Sequence, residues 1–222
     1  MRTAVLVMLK APVPGQVKTR LGALVGDGAA AELAAACILD TLDVCEEVFG
    51  EPGDRHVALA GELEAAVQRS DLEQRLLGWT VHPQHGAGFA ERLVRAHADT
   101  ARAAGVAVVQ IGMDTPHLSS ADLADVADRV GRGNDVVLGP AHDGGWWVLA
   151  VTDPRFARSL RGVEMSTGRT YAETRAALEA AGARVADAAT LRDVDTAGDA
   201  RVAAAAAPAT RFARRWARIT TC

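Results

Sequence analysis

Aromatic side chains are scarce in this sequence: they make up 4% of 222 residues and include a single tyrosine, so the 49% hydrophobic content is almost entirely aliphatic. The core must therefore be built from Ala, Val and Leu, with alanine-rich stretches favouring helices and valine-rich runs favouring strands. Cysteine is scarce too. Cys37, Cys45 and Cys222 are an odd number, at spacings that suit neither a zinc knuckle nor a disulfide framework. Cys37 and Cys45 fall in an Ala/Leu-rich helical stretch, where they read as small apolar filler. The formal net charge is −4 and no dense Lys/Arg stripe occurs before the C-terminus, which argues against a nucleic-acid partner. No apolar run approaches the ~20 residues needed to span a bilayer. The stretch Ala4 to Leu9 is too short for a signal sequence and runs directly into Lys10, Pro12 and Pro14. The expected setting is the cytoplasm.

Strand-like and helix-like runs alternate through most of the chain, the pattern of βαβ units around a mostly parallel sheet in one large domain. The composition predicts strands at Thr3 to Leu9, Arg55 to Ala60, Trp79 to His82, Val106 to Ile111, Asp135 to Leu138, Trp146 to Val151 and Ala183 to Ala186. Helices are predicted at Gly28 to Val48, Leu63 to Leu77, Phe89 to Ala104, Ala121 to Val130, Gly168 to Ala181 and Ala197 to Ala206. Gly139-Pro140 and Gly144-Gly145 separate two strands with no helix between them, so one antiparallel excursion is expected in a three-layer α/β/α sandwich. The domain should span 1–207. In the tail, 208–222, Phe212, Trp216 and Ile219 recur at helical spacing among Arg211, Arg214, Arg215 and Arg218. That helix would either lie on a membrane surface or dock its tryptophan, on its own domain or on a second subunit as a homodimer contact.

Four segments could carry chemistry. Asp114 stands just past the run Val106 to Gly112, where open α/β sheets bind ligands, and Ser119 and Ser120 are better placed than it is to cap the next helix. The loop Lys10-Ala11-Pro12-Val13-Pro14-Gly15-Gln16-Val17-Lys18-Thr19-Arg20-Leu21-Gly22 can gather backbone amides and cations around phosphate, or be a plain solvated loop. Gln84-His85-Gly86-Ala87-Gly88-Phe89-Ala90 opens like a dinucleotide fingerprint, but Glu91 takes the third glycine position. Its glycines still allow close backbone approach, and the Gln84 amide can pair with a base edge. His82 and His85 are three apart, a spacing metal sites use, yet no Cys or further His stands near to complete a site. Asp143-Gly144-Gly145-Trp146-Trp147 puts a carboxylate on a glycine turn beside two tryptophans that could wall a sugar or base, or simply forms a tight hairpin. In Asp193-Val194-Asp195-Thr196, Asp195 or Thr196 would cap the last helix, and a carboxylate there would also suit Mg²⁺.

Together these segments resemble the nucleotide-diphospho-sugar transferase superfamily, which has the glycosyltransferase-A type, Rossmann-like fold. The combination of Ala11-Pro12-Val13-Pro14-Gly15, Lys18-Thr19-Arg20-Leu21, Gly112-Met113-Asp114-Thr115-Pro116, Gly139 to Gly145 and Asp193 to Thr196 looks like a glycosyltransferase-like bacterial branch related to the 2-phospholactate and molybdenum-cofactor guanylyltransferases. The resemblance implies nucleotide contacts from Lys10, Ala11, Pro12, Gly15, Lys18, Arg20, Gln84, Gly86, Gly88 and Asp114. It implies a Mg²⁺ (or Mn²⁺) held by Asp114 and Asp195. Substrate contacts would come from Asp143, Gly144, Gly145, Trp146 and Trp147, with Val163 to Thr167 as part of the acceptor pocket. The expected activity is transfer of a sugar from a nucleotide-sugar to a small acceptor, with Asp114, Asp143, Lys18 and Arg20 catalytic. Two readings stand beside it: nucleotidyl transfer from an NTP with release of pyrophosphate, and a nucleotide-binding module without catalysis.

Overall fold

The structure, a computed structural model, describes residues 2–221, so Cys222 lies outside the described residues. The elements run β1 (Thr3–Lys10), α1 (Thr19–Val25), α2 (Asp27–Val48), β2 (Arg55–Ala60), α3 (Arg69–Leu76), β3 (Thr80–Pro83), α4 (Phe89–Ala104), β4 (Ala107–Gly112) and α5 (Ser120–Arg129). They continue with β5 (Val136–Pro140), β6 (Trp146–Val151), α6 (Pro154–Ala157), α7 (Thr170–Ala180), β7 (Val185–Asp187), α8 (Ala197–Ala206) and α9 (Arg211–Thr221).

The seven strands form one sheet in the order β3-β2-β1-β4-β6-β5-β7. Pairings among β1, β2, β3 and β4 and between β5 and β7 are parallel, whereas β6 runs antiparallel to both β4 and β5. The reason is chain length. Only a short turn separates β5 from β6, and a parallel pairing needs a crossover of a dozen or more residues. The predicted excursion is therefore a single reversed strand between β4 and β5. The chain moves outward from β1 through β2 to β3 and then returns to β4, so the order switches between β1 and β4. Ligands of open α/β sheets bind beyond the strand ends at such a switch.

Alternation along β1 shows how the sheet is covered on both sides. Val5, Val7 and Leu9 join a cluster with Ile38 and Leu42 of α2, Leu72 of α3, and Leu123 and Val126 of α5. Leu6 and Met8 point the other way, into a cluster with Leu93, Val94 and Ala96 of α4, Phe156 and Leu178. A strand buried on both faces must be apolar at every position, which is why β1 reads as a continuous run.

A third cluster forms outside the sheet, where Leu33, Ala36 and Cys37 of α2 meet Ala200, Ala203, Phe212 and Trp216. The apolar side of α9 is thus used on its own chain, the docking alternative of the sequence reading. Burying Phe212 stabilises the fold by ~1.5–3 kcal/mol. Cys37 and Cys45 are buried free thiols, as expected of filler. Among the described residues no helix is long and apolar enough to cross a membrane.

Besides the short helix α6, which is absent from the predicted set, two segments differ from expectation. The stretch predicted as one helix from Leu63 to Leu77 is a short turn at Leu63–Ala65 followed by α3, because Gln68 adopts a left-handed conformation with φ 52 that interrupts the helix. Helix α1 begins inside what reads as loop, directly after Lys18, which is also left-handed at φ 49.

Candidate functional site

The left-handed turn at Lys18 drives its side chain inward, to 5% exposure. Its ammonium lies 2.7 Å from Asp114 Oδ1 and 3.5 Å from Asp195 Oδ1, and it donates to the carbonyl of Val194. Burial opposes the charge on Lys18, but Asp114 foremost, then Asp195, outweigh it and hold the amine protonated well above its usual range. Arg20 remains largely exposed and reaches Asp195 Oδ2 at 3.5 Å.

Both aspartates are free for this contact because neighbours do the capping. Ser119 caps α5 in a reciprocal box with Asp122, and Thr196 caps α8 in one with Asp199. The two segments are then laced together: Val194 N–H donates to Asp114 O at 2.9 Å, and Thr115 Oγ1 donates to Asp193 Oδ1 at 2.6 Å. Burial pushes the Asp193 carboxyl up to about 6, the Thr115 bond working against the rise and the Asp114 charge adding to it. Asp193 is named from the sequence only as part of the Asp193 to Thr196 segment, with no role of its own. The site thus concentrates three carboxylates around one buried cation. Asp114 Oδ1 is buried and, although 2.7 Å from the Lys18 ammonium, makes no aligned hydrogen bond.

These groups open onto a cleft of about 540 Å³ across the carboxyl ends of β1 and β4. Of the anticipated residues it is lined by Lys10, Lys18, Arg20, Gln84, Asp114, Asp143, Gly145, Trp146, Trp147 and Asp195. Met165 and Ser166 of the anticipated acceptor loop line it as well. Lys10 Nζ donates to Gln16 O at 2.7 Å.

The remaining anticipated residues do not line the cleft. Ala11 N–H is bonded to Ala60 O and Pro12 O accepts from Val67 N–H, which pins the loop to the β2 side. Gly15 packs toward Asp27, Gly88 caps α4, and at Gly86 any Cβ would press on Glu91 and Arg92. These glycines fit loop to helix. Gly144 serves the hairpin in the same way: at φ +88 its Cα backs onto the Gly168 carbonyl, 2.2 Å from where a Cβ would stand. Gln84 is present but committed, since its amide nitrogen donates to Leu9 O at 3.1 Å and Ala58 O at 2.8 Å. Only its carbonyl oxygen is left to read a base edge. His82 and His85 diverge, the first meeting His56 at 3.1 Å and the second Asp99 at 2.9 Å, so they form no shared metal site.

Asp143 is exposed on the β5–β6 turn, with Oδ1 accepting from Gly145 N–H at 2.8 Å. The two tryptophans split between faces. Trp147 is buried in the core with its indole N–H on Ala189 O, while half-buried Trp146 packs against the α4-side cluster with its indole N–H on Thr174 Oγ1. The sequence reading missed Arg92, Phe89, Gln110 and Thr170 in the wall. Arg92 and Phe89 sit on the first turn of α4, a position at the strand ends that the helix boundary alone could have flagged.

Residues 41–167 match the model of a family described as "Uncharacterized protein conserved in bacteria" (DUF2064). No curated protein matches the chain significantly. Among solved structures, a protein described as a candidate nucleotide-diphospho-sugar transferase from Desulfovibrio desulfuricans G20 is similar at 23% identity and TM-score 0.80, over 97% of this chain and 92% of that one. CMP:2-keto-3-deoxy-manno-octonic acid synthetase, solved with CTP, is similar at 13% identity and TM-score 0.56, over 94% of this chain and 99% of that one. Rv0371C of Mycobacterium tuberculosis H37Rv, in complex with manganese, is similar at 19% identity and TM-score 0.50, over 91% of this chain and 98% of that one. The fold is the one shared by nucleotide-diphospho-sugar transferases.

Proposed function

The chain belongs to the DUF2064 family, and we propose that it is a divalent-cation-dependent, nucleotide-using transferase that passes a sugar from a nucleotide-sugar to a small acceptor. The observation that carries this reading is the convergence of Asp114 and Asp195 on one point at the switch between β1 and β4, both within 3.5 Å of the Lys18 ammonium. Asp114 and Asp195 would hold the cation. A pair of carboxylates suits Mg²⁺ or Mn²⁺, which complete their shells with phosphate oxygens and water, and both Asp114 and Asp195 are partly open to solvent. Among the described residues no group of three His, Cys, Asp or Glu side chains that could hold a metal forms, so this reading needs the substrate to supply the other ligands. When bound, such an ion neutralises charge on the leaving diphosphate. The manganese in the mycobacterial neighbour supports this choice.

The chain's own residues divide the remaining work. Lys18, held charged, and exposed Arg20 would face the phosphates and share the negative charge that develops there. Asp143 would orient the acceptor hydroxyl or take its proton, since among the described residues its second oxygen makes no hydrogen bond. Trp146 would wall the acceptor side.

The CTP complex of the second neighbour favours one further reading, nucleotidyl transfer with release of pyrophosphate. The same residues would act there and the scissile bond alone differs, so pyrophosphate release from an NTP with candidate phosphates separates the two. The shared premise is tested by titrating Mg²⁺ and a panel of nucleotides against the wild type and Asp114→Ala. Nucleotide affinity should depend on Mg²⁺ in the wild type and lose that dependence in the variant. Equal binding by both proteins, indifferent to the metal, would end the proposal. If turnover is found, removing the Asp114 charge contact should cost ~100 to 1,000-fold in rate.

A further inference from the structure

The cleft has two unlike halves. On the α2 and α8 side lie Lys18, Arg20 and the carboxylates; on the α4 side Met8, Leu93, Trp146 and Met165 belong to one apolar cluster. Set into that second half is Arg92, on the first turn of α4. Its Nε is buried without a hydrogen-bond partner, and among the described residues no carboxylate lies within ion-pair distance of its guanidinium. Arg92 differs in this from Lys18 and Arg20, which are both paired with aspartates. An arginine with a desolvated, unsatisfied N–H beside an apolar wall is costly unless something accepts from it. The ring of Phe89, 5.6 Å from its Cζ, holds the side chain in place but supplies no acceptor.

The loop next to Met165, in the same half, also holds a left-handed residue. Ser166 is held at φ 63, and of the three left-handed non-glycine residues described, Lys18, Gln68 and Ser166, two line the cleft. Residues kept in such sparsely populated conformations cluster where ligands are gripped.

We propose that Arg92 recognises an oxyanion on the acceptor, so that the acceptor is a small carboxylate or phosphate ester rather than a neutral alcohol. The inference rests on the transferase reading for the word acceptor, but the anion site itself does not. The planar guanidinium fork matches either oxyanion in a two-point contact. The apolar half would hold the carbon frame, and Asp143, also in the wall, would be left for the reacting hydroxyl. Arg92 is thus a specificity residue.

The test is an NMR titration of the full chain with glycerol 3-phosphate, lactate and glycerol, following the Trp146 indole N–H. Wild type, Arg92→Ala, Arg92→Gln and Arg92→Lys are compared, with affinity for Mg²⁺ and nucleotide measured in parallel. At least one anion should bind where glycerol does not, Arg92→Ala and Arg92→Gln should weaken it about ten- to a hundredfold, and Arg92→Lys should keep part of it. Nucleotide affinity should stay the same. Which anion binds distinguishes the carboxylate from the phosphate ester. If Arg92→Ala does not fold, the Gln and Lys variants carry the comparison. Anion binding equal in all proteins, glycerol binding as well as the anions, no anion binding to the wild type, or a loss that falls on the nucleotide instead would each overturn the assignment. Nucleotide binding without anion binding removes this inference alone. Anion binding without nucleotide binding removes the transferase reading and leaves the anion site standing.

Discussion

The Lys18 ammonium meets Asp114 Oδ1 at 2.7 Å, from a side chain only 5% exposed. A buried cation that neutralises two carboxylates competes for them with any divalent ion. Lys18→Met should therefore destabilise the protein by ~1–3 kcal/mol, below the usual figure for a broken buried pair because Asp114 and Asp195 are partly open to water. It should also make the protein more responsive to Mg²⁺, which replaces the missing charge. Thermal melts with and without MgCl₂ check both parts. A variant as stable as wild type, or one that Mg²⁺ does not raise further than wild type, contradicts the competition.

Gly144 and Gly162 make a matched pair. A Cβ at Gly144 would sit 2.2 Å from the Gly168 carbonyl oxygen, on a backbone at φ +88, whereas at Gly162 nothing lies within 4 Å. Gly144→Ala should cost at least ~2 kcal/mol and displace the turn that carries Asp143. Gly162→Ala should stay within ~0.5 kcal/mol of wild type. Urea unfolding of the two variants side by side decides it, and equal losses would mean the turn is not fixed by that contact.

Much of this site is legible in the sequence because its parts are local. Asp114 after the apolar run, Ser119 as the rival cap, and Thr196 before Ala197 are neighbours in the chain, and their roles follow from strand ends and capping chemistry. The reversed strand was legible for the same reason, from glycines too close together to admit a helix. Other features depend on contacts that no local pattern encodes. Lys18 looks like a surface lysine until the left-handed turn buries it against segments far away in sequence. Gln84 looks like a base reader until its amide is seen to brace the ends of β1 and β2. Arg92 looks like any helix arginine, since what singles it out is the absence of a partner, and absence of a partner is a tertiary property.

Asp40 holds the last helix. Its carboxylate, on α2, accepts from the backbone N–H groups of Arg211 at 3.0 Å and Phe212 at 2.9 Å, and from the Arg211 guanidinium at 3.1 Å. A negative charge at a helix N-terminus also meets the favourable end of the macrodipole. Asp40→Ala should cost ~1–3 kcal/mol and free α9, so that trypsin cuts the arginines of the tail faster than in wild type. Nucleotide affinity should not change, because the contact lies away from the cleft. Unaltered proteolysis would show that Phe212 and Trp216 suffice to hold the helix.

His97 gives the protein an acid limit. It is fully buried on α4, neither ring nitrogen has an aligned partner, and burial pushes its pKa from 6.5 down to about 4. The Gln110 carboxamide opposes part of that drop, being close to the ring but without the alignment of a full hydrogen bond. In the unfolded chain the ring takes up its proton near 6.5, so between that value and about 4 the unfolded state binds more protons than the folded one. The stability contributed by the neutral ring is thus complete above the unfolded value and is lost as the pH falls toward the folded one. At ~1.4 kcal/mol per unit, the full loss is about 3 kcal/mol. His97→Leu keeps the volume nearly constant and removes both the titration and the unpaired nitrogens, so it should be no less stable than wild type at neutral pH and lose less on acidification. Urea unfolding at several values between about pH 7 and about pH 4 reads the difference as a slope shallower by about one proton. Parallel slopes in the two proteins would mean that His97 finds a proton acceptor in the fold and is not the group that sets the acid limit.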